Sequence, residues 1–258
     1  MKKKILLTLM IIGTVAAVYA QQTADAIVRA SRDRIQAQTV SIRSRMVITA
    51  RDGSTTERLI DQYSKDGPRG SRSVIVFQQP STVAGSRFLT LENPSGADDR
   101  WIYLPSLGRV RRIAASEGSG SFMGTDFSYD DISATSRSAD ADNHSILREE
   151  TLGGAACYVI QSAPKDSSFQ YSRMVQWIAK DTLIMVKIEL YDRRNTLVKT
   201  VEMSNVQNIQ GRQTPTVMKM TTHAAGTSTT ITNEITKYDD PIPEQVFTVE
   251  FLETGRAR

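Results

Sequence analysis

Residues 40–68 read VSIRSRMVITARDGSTTERLIDQYSKDGP, and this stretch decides the fold. Val40, Ile42, Met46 and Ile48 fall on one side of a period-two pattern. Ser41, Arg43, Arg45, Thr49 and Arg51 dominate the other. Successive side chains of a strand point to opposite faces, so this alternation marks a half-buried β-strand. Asp52-Gly53 provides the residue types that a tight hairpin turn needs. A second strand is predicted at 55–64, ended by Asp66-Gly67-Pro68, and a third at 70–78 around Val74, Ile75, Val76 and Phe77. Together they form an antiparallel meander.

The same reading continues along the chain. Strands are predicted near 86–92, 99–104, 108–113, 145–152, 156–163, 171–179, 183–191, 196–204, 214–223 and 227–237. Pro105-Ser106-Leu107-Gly108, Gly153-Gly154, Asp181-Thr182 and Arg193-Arg194-Asn195 are the turns between some of them. One helix is predicted at 24–37, capped by Thr23 and favoured by Asp25 near its N-terminus. So many hairpins with so little helix require a sheet that curls or folds over. No linker and no fixed-period repeat divides the chain, which favours one large curved sheet or barrel over two domains.

Hydrophobic residues make up 40% of the 258 and charged residues 23%, which excludes a disordered chain. Lys2, Lys3 and Lys4 precede an uncharged apolar run from Ile5 to Ala20 that ends in Val18-Tyr19-Ala20. This is the pattern of a cleaved secretory signal, and the run is shorter than the roughly 20 residues of a spanning helix. The expected division is therefore a signal peptide at 1–20 and one mature domain at 21–258, delivered across the inner membrane to the periplasm. Removing three lysines leaves 29 basic residues against 28 acidic, so the formal charge of +4 falls to +1. No net basic surface for nucleic acid remains, the cluster Arg109, Arg111, Arg112 being the local exception. The single cysteine, Cys157, sits in an apolar strand and reads as a buried small residue. No cysteine follows the signal, so no lipid is expected on the mature N-terminus.

The inventory offers no catalytic motif, no metal ligand set and no cofactor fingerprint. His144 and His223 lack zinc spacing, Gly118-Ser119-Gly120-Ser121 is not a nucleophile elbow, and Asp140 and Asp142 lack the rest of a calcium loop. The positive signal is apolar. Residues 114–131, AASEGSGSFMGTDFSYDD, are glycine- and serine-rich yet carry Phe122, Met123, Phe127 and Tyr129. Such a segment is either a loop pinned onto the core or a lid over an apolar cavity. Met46, Met174, Met185, Met218, Met220, Trp101, Tyr103 and Trp177 lie on predicted strands. Methionine fills irregular apolar space and adapts to varied ligands, so together with the loop they point to an acyl-chain cavity. The expected site has Phe122, Met123 and Phe127 in the lid and Trp101, Tyr103, Trp177, Met218 and Met220 in the wall. Serine at Phe122 and Phe127 is expected to weaken lipid retention without unfolding the protein.

The stretch Arg100-Trp101-Ile102-Tyr103-Leu104-Pro105, then Gly108-Arg109-Val110-Arg111-Arg112-Ile113 and Ser121-Phe122-Met123-Gly124-Thr125-Asp126-Phe127-Ser128-Tyr129-Asp130-Asp131, resembles the outer-membrane lipoprotein-sorting protein family, the LolA-like group. Tyr191-Asp192 and Pro243-Glu244-Gln245-Val246-Phe247-Thr248 are similar to it as well. The resemblance implies an unclosed half-barrel with a helix and loop plug on its concave side. It also implies a carrier that shields the acyl chains of lipoproteins or lipids between an inner-membrane transporter and an outer-membrane acceptor. Arg43, Arg45 and Arg100 are candidates by position for the arginine that gates such carriers. Two other readings are an adaptor that docks on an inner-membrane transporter without lipid, and a secreted lipid hydrolase.

Overall fold

The computed structural model describes residues 23–257 apart from 69, 94, 95, 97 and 134–137, and the predicted signal at 1–20 lies outside the described residues. Thirteen antiparallel strands follow one another: β1 (Thr39–Thr49), β2 (Thr55–Lys65), β3 (Arg72–Gln79), β4 (Arg87–Leu91), β5 (Asp99–Leu104), β6 (Arg109–Arg112), β7 (Asp142–Leu152), β8 (Ala155–Pro164), β9 (Arg173–Ala179), β10 (Met185–Tyr191), β11 (Leu197–Ile209), β12 (Arg212–Thr222) and β13 (Thr227–Tyr238). Their order in the sheet is β6-β5-β4-β3-β2-β1-β13-β12-β11-β10-β9-β8-β7. Every neighbour is a hairpin partner except β1 and β13, which splice the two halves at Met46 opposite Ile231. The meander predicted from sequence thus runs outward in two wings, and the end strands β6 and β7 do not pair.

The sheet is curled. Ile75 on β3 and Met174 on β9 stand seven strands apart in sheet order, roughly 34 Å along a flat sheet at 4.8 Å per strand. Yet both belong to one apolar cluster, with Met46, Phe77, Phe88, Leu190, Val201 and Met220. Only a curved sheet brings them around one concave face. Register irregularities at Arg43/Ser44, Leu59/Ile60, Ile146/Arg148 and Leu190/Tyr191 add local twist of the kind that bends strands.

Helix α1 (Ala24–Asp33) lies on the concave face at one end, where Ile27 and Val28 pack on Ile160 of β8 and Ile178 of β9. Thr23 Oγ1 caps it by accepting from the Ala26 N–H at 3.2 Å. It ends four residues before the predicted limit of 37 because the sheet takes the following backbone groups. Arg212 Nη2 donates to the Gln36 carbonyl at 2.9 Å, and the Gln38 N–H donates to Asp239 at 2.8 Å.

Residues 114–133, ending in α2 (Tyr129–Ser133), fill the other end of the concave side. Their tip is a small hairpin. Ser121 bridges Ser128, the Thr125 N–H donates to the Phe122 carbonyl, and Met123 and Gly124 both have positive φ, 53° and 74°. Two consecutive positive φ values are those of a type I′ turn, and a methionine there costs about 1 kcal/mol. Arg58 Nη1 offsets this by donating to the Met123 carbonyl at 2.6 Å. Phe122 is fully buried, 5.1 Å from Phe88 and 5.7 Å from Tyr129 between ring centres.

Three carboxylates tie this plug to three strands. Asp126 accepts from the hydroxyls of Thr227 and Thr229 on β13, at 2.5 and 2.7 Å. Asp130 accepts from Arg100 on β5 at 2.6 Å. Asp131, 5% exposed at its side chain, accepts from Lys199 on β11 at 2.7 Å and from the Tyr171 hydroxyl at 2.8 Å. Burial first, and then the Asp131 charge, push the Tyr171 phenol up, which keeps it a donor to that carboxylate. Of the two sequence readings for 114–131, the structure has the pinned segment. Phe122 is part of the core, so serine there carries the stability cost of a cavity in addition to any effect on lipid retention.

Helix α3 (Val249–Thr254), an element absent from the sequence reading, covers the convex face of β4 to β6, and the turn at Glu244–Phe247 before it covers β3. Thr248 Oγ1 accepts from the Phe251 N–H at 3.1 Å. Gly255, at φ +67°, ends the helix by donating to the Phe251 carbonyl. Leu252 is fully buried against Val74 and Leu89.

Leu252→Ala should lower the unfolding free energy in urea by roughly 2–5 kcal/mol, the range for a buried leucine; a loss below about 0.5 kcal/mol would show that α3 does not hold the convex face. Lys199→Met leaves Asp131 buried without its cation and should cost roughly 3–5 kcal/mol by the same assay. An unchanged midpoint would contradict the pinning.

Candidate functional site: an apolar cavity under the plug

Between the concave face and the plug lies a cavity of about 560 Å³. That falls within the roughly 300–1,000 Å³ of small-molecule sites. Alternation along the strands decides which residues line it. Ile42, Ser44 and Met46 of β1 face in, and Arg43 and Arg45 face out, where they pair with Asp61 and with Glu57 and Glu234. Val201 and Met203 of β11 stand opposite Met220 and Met218 of β12, and Met218 stands opposite Ile231 of β13. The plug contributes Phe127, Asp131 and Ile132.

Methionine distribution is the clearest feature of the lining. The sequence holds nine methionines, two of them within residues 1–20. Met46, Met174, Met185, Met203, Met218 and Met220 all line the cavity, and Met123 packs against the same cluster from the plug. Unbranched thioether side chains repack readily, so this wall can follow ligands of different shape.

The residues predicted for the site divide between the two faces. Phe127, Met218 and Met220 line the cavity, while Phe122 and Met123 lie in the plug and its cluster. Trp101, Tyr103 and Trp177 are not brought to it. Their neighbours Ile102, Met174 and Gln176 face the concave side, so strand alternation turns these three outward. Trp101 and Tyr103 pack beneath residues 242–252, and Trp177 joins Val159 and Val175 under Lys187, whose Nζ is 4.5 Å from the indole. Met203, Phe169, Tyr171 and Gln176 line the cavity without having been singled out in the sequence. The parity of Met218 and Met220 would have reached Met203 had the β11–β12 register been known.

Among the three candidate gating arginines, Arg100 alone touches the plug, through Asp130. Its side chain is 12% exposed.

Among the described residues no group of three or more His, Cys, Asp or Glu is placed to hold a metal. Asp140 of the calcium-like stretch is an ion-pair partner of Arg29 at 2.8 Å. Cys157 is fully buried, which pushes its thiol up. His144 meets Ser162 at 2.7 Å, but that serine is fully buried and the other ring nitrogen faces the Ala139 carbonyl in place of a carboxylate. No helix of the described residues is long and apolar enough to cross a membrane.

Comparison with known proteins agrees with this geometry. A family model described only as a "-like" uncharacterized protein matches residues 69–254. A structure assigned as an outer membrane lipoprotein-sorting protein domain, from Vibrio parahaemolyticus, is 28% identical with a TM-score of 0.84, over 89% of this chain and 98% of that one. A DUF1329 family protein from Desulfovibrio piger is 31% identical with a TM-score of 0.84, over 89% and 97%. A LolA superfamily protein from Nitrosomonas europaea, 21% identical with a TM-score of 0.73 over 90% and 100%, shares the fold. No curated protein matches. With a family model over residues 69–254 and a near-complete relative 31% identical, the chain belongs to the DUF1329 family, and it shares its fold with the lipoprotein-sorting domain and LolA superfamily structures.

Proposed function

We propose that this protein is a periplasmic carrier that holds acyl chains of lipoproteins or lipids in its cavity and moves them toward the outer membrane. The observation that carries the reading is the gathering of six methionines around one apolar cavity of about 560 Å³. An apolar chain gains roughly 0.8 kcal/mol for each CH₂ it buries, so part of one acyl chain suffices for useful binding without any chemistry. The sequence adds the address: residues 1–20 act as a cleaved signal, and residues 21–258 are the mature carrier domain. An inner-membrane transporter loads it and an outer-membrane acceptor empties it.

The wall and the plug have different roles in this proposal. Met46, Met203, Met218 and Met220 adapt to the chain. Phe122, Met123 and Phe127 close the far end, with Asp126, Asp130 and Asp131 holding them there. Cargo then enters from the part of the cavity lined by Gln62, Ser64 and Ser73, where the wall becomes polar. Trp101, Tyr103 and Trp177 brace the convex face and have no contact with cargo in this scheme. An adaptor that carries no lipid calls for an interior filled by side chains, and the cavity weighs against it.

Met203→Trp places an indole in the cavity and should weaken binding of a fluorescent fatty acid by about tenfold, or about 1.4 kcal/mol, while the thermal transition stays cooperative. Equal binding by the wild type and this variant would place the acyl site elsewhere.

A further inference from the structure

The cavity wall contains a polar group that an acyl chain alone does not use. Ile160 (β8), Gln176 (β9), Ile188 (β10), Val201 (β11) and Met220 (β12) are successive cross-strand partners on the concave face. Gln176 is the one polar member of that row, 2% exposed and on the cavity lining. Its Nε2 donates to Ser162 Oγ at 2.5 Å. Its Oε1 is buried and has no hydrogen-bond partner. Buried polar atoms are nearly always satisfied, so this oxygen calls for an explanation.

Counting hydrogens along the contacts behind it fixes which end of the amide faces away from Ser162. The Ala139 carbonyl can only accept, so His144 Nε2, 2.9 Å from it, carries a hydrogen. In a neutral imidazole Nδ1 is then bare and accepts; its partner, at 2.7 Å, is the Ser162 hydroxyl. The single hydrogen of that hydroxyl is thereby committed to His144. Its oxygen is left to accept, and only the NH₂ end of Gln176 can supply the hydrogen. With the imidazole neutral, the backbone carbonyl of residue 139 thus sets a relay through His144 and Ser162 that presents Gln176 Oε1 as an acceptor.

We propose that Gln176 Oε1 receives a hydrogen bond from the cargo, so the cavity selects an apolar chain bearing a hydroxyl or amide N–H over one whose polar group only accepts. This rests on the carrier reading above. Thr90 Oγ1, also on the lining and buried without a partner, can donate or accept and so adds a polar contact without setting the preference.

The test compares three probes of equal chain length against the full mature protein: a fatty alcohol, an N-alkyl amide and a methyl ester. The alcohol or the amide should displace a fluorescent fatty acid at about three- to tenfold lower concentration than the ester, the worth of one net hydrogen bond. Which of the two does so names the donor. Gln176→Met, of similar volume, should bring all three probes to one affinity. Ser162→Ala releases the amide to rotate and should narrow the preference as well. Equal affinities in the wild type, as a water held at Gln176 would give, overturn the inference and leave the carrier reading standing. A preference that survives Gln176→Met also overturns it. Binding of none of the probes by the wild type overturns the carrier reading and this inference together.

Discussion

An unclosed sheet of thirteen strands has a concave apolar face that must be covered, and the buried carboxylates of residues 126–131 set how it is covered. Asp126 reaches β13, Asp130 reaches β5 and Asp131 reaches β11. In sheet order β5 lies in one wing, with β13 and β11 in the other, so one short segment ties the curvature of both wings. Water shut out from under this segment would otherwise solvate the carboxylates, and each has a cation or hydroxyl in its place. The segment is thus held by directional bonds while its aromatic rings fill space. Apolar packing alone would let a glycine-rich loop settle in several ways.

The pinned plug leaves a cavity instead of a filled core, and the materials of its wall explain why the fold tolerates the void. Strands β9 to β12 present methionine along the cavity wall. Thioether chains take up irregular space by changing rotamers, at less cost than a rigid core would pay. The convex side is built the opposite way. Trp101, Tyr103, Val74 and Leu89 are clamped by Leu252 and Phe247, and Arg87 donates to the Leu252 carbonyl at 2.7 Å. One face is rigid and the other adaptable, which suits a shell that keeps its shape while its contents change.

Much of this was legible in the chain. Alternation in 40–49 and the turn at Asp52-Gly53 placed β1 and β2 within a residue of their limits, and all thirteen strands were anticipated. For the sticky loop at 114–131 the sequence leaves two readings open, a pinned loop and a lid, because its apolar residues do not say how firmly it is held. The missing information was parity. In Trp101-Ile102-Tyr103-Leu104 both faces are apolar, because residues 242–254 cover one and the plug covers the other. A strand buried on both sides carries no periodic mark of which side is which. Trp177 failed for a related reason, since Arg148 and Lys187 lay their side chains over an outward ring and bury it without any apolar partner layer. Gln176 was invisible because its meaning depends on Ser162 and His144, which only the β7–β8–β9 register brings beside it.

The central claim is that the cavity holds acyl chains. Mass spectrometry of lipids extracted from the mature protein, purified without detergent from its own cell envelope, tests it most directly. The account predicts a phospholipid, another acylated lipid or an acylated peptide in stoichiometric amount. An empty protein that also takes up no lipid from vesicles would contradict it.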